Sequence, residues 1–371
     1  FNHVGDECRA VRNSAGCLEI SGYAKYEITG PGAEGWLSHM LANKVPATGR
    51  MTLAPMLNEA GKLIGDFSLA KVSDEWFYIF GSGAAENYHM RWFEQHLPRD
   101  ATVSIRRFDT GLVGLSIVGP KSRDVLAALT DEDVSGNAFR FMDYREMDVA
   151  GAPSHVNRIS FAGDLGFEIW VEPSYQRKVY DGIKRAGAAH GIVDFGMRAL
   201  LSMRLEKNFP TWFAELRPIY GPFEAAMERF VELDKGDFIG RDAAARELAE
   251  GPSLRRVSFV VETENADVMA DEPIWARVGD MAVDSVVPPH GYGAPRFDET
   301  GRETPKPDPQ RDGDWRVVGW VTSGGYGHCV KASFAQGYIP AELAERVEDG
   351  MFEIEILGRR CPARIAHEPL F

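Results

Sequence analysis

The 371-residue chain has no excess of positive charge; its formal net charge is −14. A nucleic-acid-binding surface needs clustered Lys and Arg, so the balance argues against that class. The same acidity makes docking on an acidic protein partner less comfortable, although one local basic patch would overcome it. No stretch of about 18 apolar residues exists, which argues against a membrane span. Cysteine is scarce: Cys8, Cys17, Cys329 and Cys361 are scattered without metal-ligand spacing. Cys8 and Cys17 lie near enough in sequence to pair, but nothing suggests a secreted scaffold. Reduced thiols in a cytoplasm or organelle matrix are the economical reading. The nine histidines show no metal-ligand spacing, and neither a Walker-type loop nor a nucleophile elbow is found. Gly81-Ser-Gly83-Ala-Ala-Glu86 imitates a dinucleotide loop but lacks its third glycine, which speaks against a Rossmann site. The chain opens at Phe1, without Met or a signal-like apolar stretch, which reads as a trimmed or incomplete amino terminus.

What is present is ordinary in bulk, with 44% apolar and 26% charged residues, enough for two or three domains with substantial cores. One repeat stands out. Ile28-Thr-Gly-Pro-Gly-Ala-Glu-Gly-Trp-Leu37 and Ile117-Val-Gly-Pro-Lys-Ser-Arg-Asp-Val-Leu126 share the plan Ile-x-Gly-Pro-x-small-x-x-x-Leu. Each follows a strand-like run. Gly makes the turn, and Pro suits the first helical position, where a missing N–H costs nothing. Two strand–turn–helix units about 90 residues apart suggest two related α+β modules. Between them the pattern predicts strands at 52–57, 63–72 and 76–80, with turn chemistry at Asn58-Glu-Ala-Gly61, then a helix at 86–96. Residues 157–171 read as strand, Gly-rich turn and strand, and 175–188 as an amphipathic helix. After Gly251-Pro252 the chain is mostly strands and turns. It carries a polar loop at about Asp298 to Asp314 and a mobile-looking turn from Thr322 to His328.

Three polar residues sit in apolar settings. In Gly196-Met-Arg-Ala-Leu-Leu-Ser-Met-Arg-Leu-Glu-Lys-Asn-Phe-Pro-Thr-Trp212, Arg204 shares a helical face with Leu200 and Leu201 and points inward. A buried guanidinium needs either a protein carboxylate or a bound anion. Asp66 lies in Gly65-Asp66-Phe-Ser-Leu-Ala70, on a strand pattern that disfavours Asp. It either caps a turn or serves as a carboxylate in a partly dry pocket. Glu168 lies in Phe161-Ala-Gly163-Asp164-Leu-Gly166-Phe-Glu168-Ile-Trp170. On an alternating strand it faces away from Phe167 and Ile169, either into solvent or onto a ligand that offers an amino group beside an N–H. Trp212 reads as core or as a pocket wall.

The wording Ser202-Met-Arg-Leu-Glu-Lys207 followed by Trp resembles the arginine helix of the folate-dependent aminomethyltransferases, the T-protein of glycine cleavage and its relatives. It is closest to the carboxyl-terminal half of dimethylglycine and sarcosine dehydrogenases. Glu19-Ile-Ser-Gly-Tyr23-Ala-Lys25, the Asn58 to Asp66 segment, Val118-Gly-Pro120, Gly163 to Glu168, Asp237-Phe-Ile-Gly-Arg241 and Val318-Gly-Trp-Val-Thr-Ser-Gly-Gly325 follow in the family's order. The likeness covers essentially the whole chain.

The resemblance implies an α+β, three-lobed, ring-like fold of two related α+β modules plus a C-terminal β-rich, barrel-like domain, with reduced folate in a central channel. The expected modules are residues 1–45 with 145–248, residues 46–144, and residues 252–371. Carried over by motif, Asp66 is the catalytic aspartate beside the reactive folate nitrogens. Glu168 grips the pterin, Arg204 is the helix arginine, and Tyr23, Ser82 and Trp212 fall near the walls. Asp164 stands where a glutamate is usual, and Gly65 replaces the first of two adjacent acids common in T-proteins. The implied cofactor is tetrahydrofolate and the implied activity one-carbon transfer, most plausibly from a small methylated amine or betaine. A flavin oxidoreductase partner, the folate half of a dimethylglycine or sarcosine dehydrogenase, a glycine-cleavage aminomethyltransferase and a folate-binding regulatory protein stand as alternatives. Neither nucleic acid nor membrane is an expected partner, and a cytoplasmic setting is expected.

Overall fold

The computed structural model describes residues 2–279, 311–346 and 350–371. The expected polar loop from Asp298 lies outside the described residues as far as Gln310. The chain divides into two compact units, one running to Arg204 and including Met227–Arg246, the other formed by Leu205–Ala226 and Glu247–Phe371.

The first unit holds two sheets. One has five antiparallel strands in the order Met51–Leu57, Leu63–Ser73, Trp76–Gly81, Ala24–Thr29, Ser104–Arg107. The other has six, in the order Val193–Asp194, Gly16–Glu19, Val113–Val118, Gly166–Val171, Ala152–Asn157, Tyr144–Val149. Each sheet buries one face under helices. Tyr26, Ile28, Phe67 and Ile79 pack with Trp36, Leu37 and Phe93 over the first. Phe167, Ile169 and Ile117 pack with Val125, Val179 and Ile183 over the second. The opposite faces meet. The Phe80 ring stacks on Trp170 with centroids 4.9 Å apart, and Tyr78 lies 4.7 Å from the His155 ring.

The sheets cut the chain elsewhere than the expected boundaries at 45 and 144. Ala24–Thr29 joins the sheet that carries Asp66, while Val113–Val118 joins the sheet that carries Glu168. The reason is long-range strand pairing: each copy of the repeat ends a strand, but in a different sheet. The repeat itself is structural. Gly30 and Gly119 adopt φ of +116° and +118°, and a Cβ on either would come within 2.3 Å of a carbonyl oxygen, that of Thr102 or Val11. Each proline lies earlier than expected. The helices Ala33–Met40 and Ser122–Ala127 start two residues after Pro31 and Pro120, because Gly-Pro first closes a turn (Ala33 N–H to Gly30 O, 3.0 Å; Ser122 N–H to Gly119 O, 2.9 Å).

The second unit is built on a closed six-stranded barrel. Pro273–Arg277, Phe352–Ile356, Arg359–Ile365, Leu254–Val261, Ala332–Pro340 and Trp315–Gly327 pair in turn, and the last pairs back to the first. Phe259, Ile274, Val318, Ala335 and Ile354 fill its interior. Thr322 to Gly327, expected as a turn, is the end of a strand. Its glycines answer crowding rather than turning: a Cβ on Gly324 would lie 2.6 Å from Val268. The segment Leu205–Ala226 is tied to the barrel strands by buried polar groups. The Glu215 carboxylate accepts from the Thr322 hydroxyl at 2.8 Å, from Ser323 and from the Thr211 N–H at 2.9 Å. The Asn208 side-chain oxygen accepts from Arg256 (2.9 Å) and Ser258 (2.5 Å). Among the described residues no helix is long and apolar enough to cross a membrane.

Gly30→Ala and Gly119→Ala are each expected to cost about 2 kcal/mol or more, since both the left-handed backbone and the carbonyl contact oppose a Cβ. Urea unfolding measures this. A cost near zero at both sites would contradict the structural reading of the repeat.

Candidate functional site

Strand register decides which side chains meet. Ser68 faces Phe80, and Ala24 faces Gly81. Continuing both ladders by one or two residues sets Asp66, Ser82 and Tyr23 side by side at one end of the five-stranded sheet. Alternation puts all three on the face that carries Phe80 and Lys25, turned toward Trp170. The loop after Gly81 is held close: a Cβ on Gly83 would lie 1.8 Å from the Gly22 carbonyl oxygen, so only glycine fits there.

Tyr23 packs on Trp170 with centroids 6.2 Å apart, and Trp170 is two residues from Glu168 on the facing sheet. Glu168 faces away from the buried Phe167 and Ile169, as alternation requires, yet it is only 7% exposed. That settles its alternatives in favour of burial. Its carboxylate accepts from the Asn157 amide at 3.4 Å, and the two residues are opposite each other across the ladder. Burial pushes the Glu168 carboxyl up to about 7, against the opposing pull of Asn157 and the Trp170 indole. The Asn157 side-chain oxygen is buried and makes no hydrogen bond among the described residues. A ligand presenting an N–H beside an amino group fits that pair of acceptors.

Asp66 is half-buried on the strand Leu63–Ser73, opposite Pro55, which has no N–H to give it. It is a strand residue, not a turn cap. Burial raises its carboxyl to about 6. Tyr23 is also pushed up, by burial first and by the Glu168 charge second. Lys25 is buried, donates to the Ser21 carbonyl at 2.6 Å and lies 5.7 Å from the Trp170 ring centre; burial lowers its pKa.

Arg204 is 3% exposed in the helix Met197–Glu206, as its spacing foretold. Asp164 forms an ion pair with Arg12. Arg12 was missed in the sequence. It stands four residues after buried Cys8 and next to buried Val11 on the helix Val4–Asn13, the same inward pattern that singled out Arg204. Trp212 belongs to the second unit, where it is 8% exposed and packs on Phe213 with centroids 5.3 Å apart. The first unit thus brings together Tyr23, Asp66, Ser82 and Glu168. A cleft of about 520 Å³ in the same unit, lined by Leu112, Glu146, His155, Val171 and Tyr175 among others, includes none of them. Among the described residues no cluster has metal-ligand character, and no disulfide joins any of the four cysteines.

The two raised carboxyls bear on stability. Both hold protons more tightly folded than unfolded, so their contribution is largest below about pH 4 and is lost as pH rises through about 7. Glu168→Gln removes its share of that loss. Its melting temperature is expected to exceed the parent's by a few degrees at pH 8 and to approach it at pH 5. Equal displacement at both pH values would contradict a desolvated Glu168.

Comparison with known proteins agrees with the fold. Residues 1–235 match the GCVT N-terminal domain, and residues 255–371 match the glycine cleavage T-protein C-terminal barrel domain. Mouse (Mus musculus) mitochondrial dimethylglycine dehydrogenase is 31% identical across the whole chain, which spans 38% of that protein's length. An aminomethyltransferase of Thermoanaerobacter sp. is 26% identical over 98% of this chain and 88% of its own. In the solved structures, the glycine cleavage system aminomethyltransferase T of Bartonella henselae superposes with a TM-score of 0.78, covering 99% of this chain and 89% of that one at 22% identity. With both domain matches in sequence order and the barrel closed as described, the chain belongs to the glycine-cleavage T-protein (aminomethyltransferase) family.

Proposed function

We propose that this chain is a tetrahydrofolate-dependent one-carbon transferase, moving a methyl or methylene group from a small methylated amine or betaine-like donor to the folate N5. The observation that carries the reading is the dry Glu168, with the unused Asn157 oxygen beside it, on a face turned toward Asp66. When bound, tetrahydrofolate supplies the nucleophilic ring nitrogen. Glu168 and Asn157 accept its N–H groups and fix the ring. Tyr23 and Trp170 form an aromatic wall beside them. Asp66, ionised above about pH 6, orients the reacting nitrogen, stabilises developing positive charge and takes the departing proton. Arg204 provides a buried cation for the anionic part of the ligand.

A second reading has one observation in its favour. The whole chain matches 38% of dimethylglycine dehydrogenase, so it also suits the folate-binding part of a longer flavin-dependent enzyme. A glycine-cleavage aminomethyltransferase is the further alternative. The product separates these readings: 5-methyltetrahydrofolate marks direct methyl transfer, 5,10-methylenetetrahydrofolate an iminium from an oxidase partner, and turnover only with a lipoylated carrier the glycine-cleavage reaction.

Calorimetry with tetrahydrofolate is expected to show binding, and mass spectrometry to show folate product with one of a panel of methylated amines and betaines. Asp66→Asn is expected to retain most of the affinity while losing roughly 10²–10⁴ in rate. Absence of binding to the folded parent at millimolar ligand, or parental turnover by Asp66→Asn, would overturn the proposal.

A further inference from the structure

The guanidinium of Arg12 is nearly sealed, with 3% of its side chain exposed, and it joins three elements of the first unit. It donates to the Ala162 carbonyl at 2.9 Å and pairs with Asp164, both in the loop that leads into the strand Gly166–Val171. It donates also to the Met203 carbonyl at 3.0 Å, in the last turn of the helix Met197–Glu206. Carbonyls there have no partner four residues on within the helix, and the negative end of the helix dipole favours a cation. The two segments it ties together carry Glu168, four residues beyond Asp164, and Arg204, next to Met203. The loop has its own turn, with Gly163 at φ +78° and the Ala162 N–H donating to the Ser160 hydroxyl at 3.2 Å. Neither contact reaches the arginine helix, whereas Arg12 bonds to both segments.

We propose that Arg12 is a positioning residue: without touching the ligand, it fixes Glu168 relative to Arg204 and so sets the geometry of the proposed folate grip. This rests on the reading that those two residues hold folate. A flat guanidinium with donors on several edges reaches three oxygens in different directions. An ammonium at the same place keeps the charge and the Asp164 pair but cannot span all three.

The test uses Arg12→Lys, Asp164→Asn and Glu168→Gln, with tetrahydrofolate affinity read by calorimetry and folding by circular dichroism and thermal melting. Arg12→Lys is expected to remain folded and to bind about ten-fold more weakly. In a Glu168→Gln background the same change is expected to cost less than about two-fold, because it acts through Glu168. A role in stability alone gives equal losses in both backgrounds, or none, and would overturn the inference. Should Arg12→Lys not fold, Asp164→Asn, which keeps shape and both carbonyl bonds, decides. A loss of about three-fold that vanishes with Glu168→Gln supports the proposal, and parental affinity overturns it. Absence of binding by the parent would instead sink the folate reading itself.

Discussion

The stack of Phe80 on Trp170 is the contact on which the candidate site depends. Each sheet of the first unit buries its other face under helices, so the meeting of the two inner faces is what excludes water from Glu168. Aromatic rings do this economically, because they bury a large area with few rotatable bonds. The consequence is electrostatic. A carboxylate held against an indole with one long amide contact is poorly solvated, and its proton affinity rises toward neutrality. Asp66, on the facing sheet, is half-buried, and burial raises its carboxyl too. Burial thus raises both carboxyls, the two to which the proposed function gives the grip on the ligand and the handling of its proton.

Much of this was legible before any coordinates. An Asp inside the apolar run Leu63 to Ala70 and an Arg on the apolar face of a core helix violate local preference, and such violations point to partners or ligands. Glu168 was ambiguous for a sound reason: alternation tells which face a residue takes, not what covers that face. The covering element is Phe80, more than eighty positions away in sequence, and only strand pairing brings it there. Which sheet each segment joins is hidden for the same reason, since pairing of Ala24–Thr29 with Trp76–Gly81 is not written in either segment alone. The glycines of Thr322 to Gly327 misled in the other direction. Glycine usually signals a turn, but here a Cβ on Gly327 would meet the Phe334 ring at 2.5 Å within a strand.

The second unit shows how a conspicuous motif can be structural. Thr322 and Ser323 lie within a glycine-rich strand and both donate to Glu215, a wholly buried carboxylate that also takes the Thr211 N–H. Removing one partner from such a network leaves a buried acceptor short of its donors, which costs more than the hydrogen bond itself. Asn208, at φ +57°, plays the same part for Arg256 and Ser258. The residues after the arginine helix thus have a structural task, the attachment of Leu205–Ala226 to the barrel strands.

The central claim is that a dry Glu168 gives up its proton to hold folate. Calorimetry of tetrahydrofolate binding near pH 7, repeated in buffers of different ionisation enthalpy, measures that proton directly. Release of roughly half a proton per ligand is expected from the parent, since a carboxyl titrating near 7 is half protonated when free and ionised when gripping N–H donors. Glu168→Gln is expected to release none. Binding without proton release by the parent, or unchanged release by Glu168→Gln, would contradict the account.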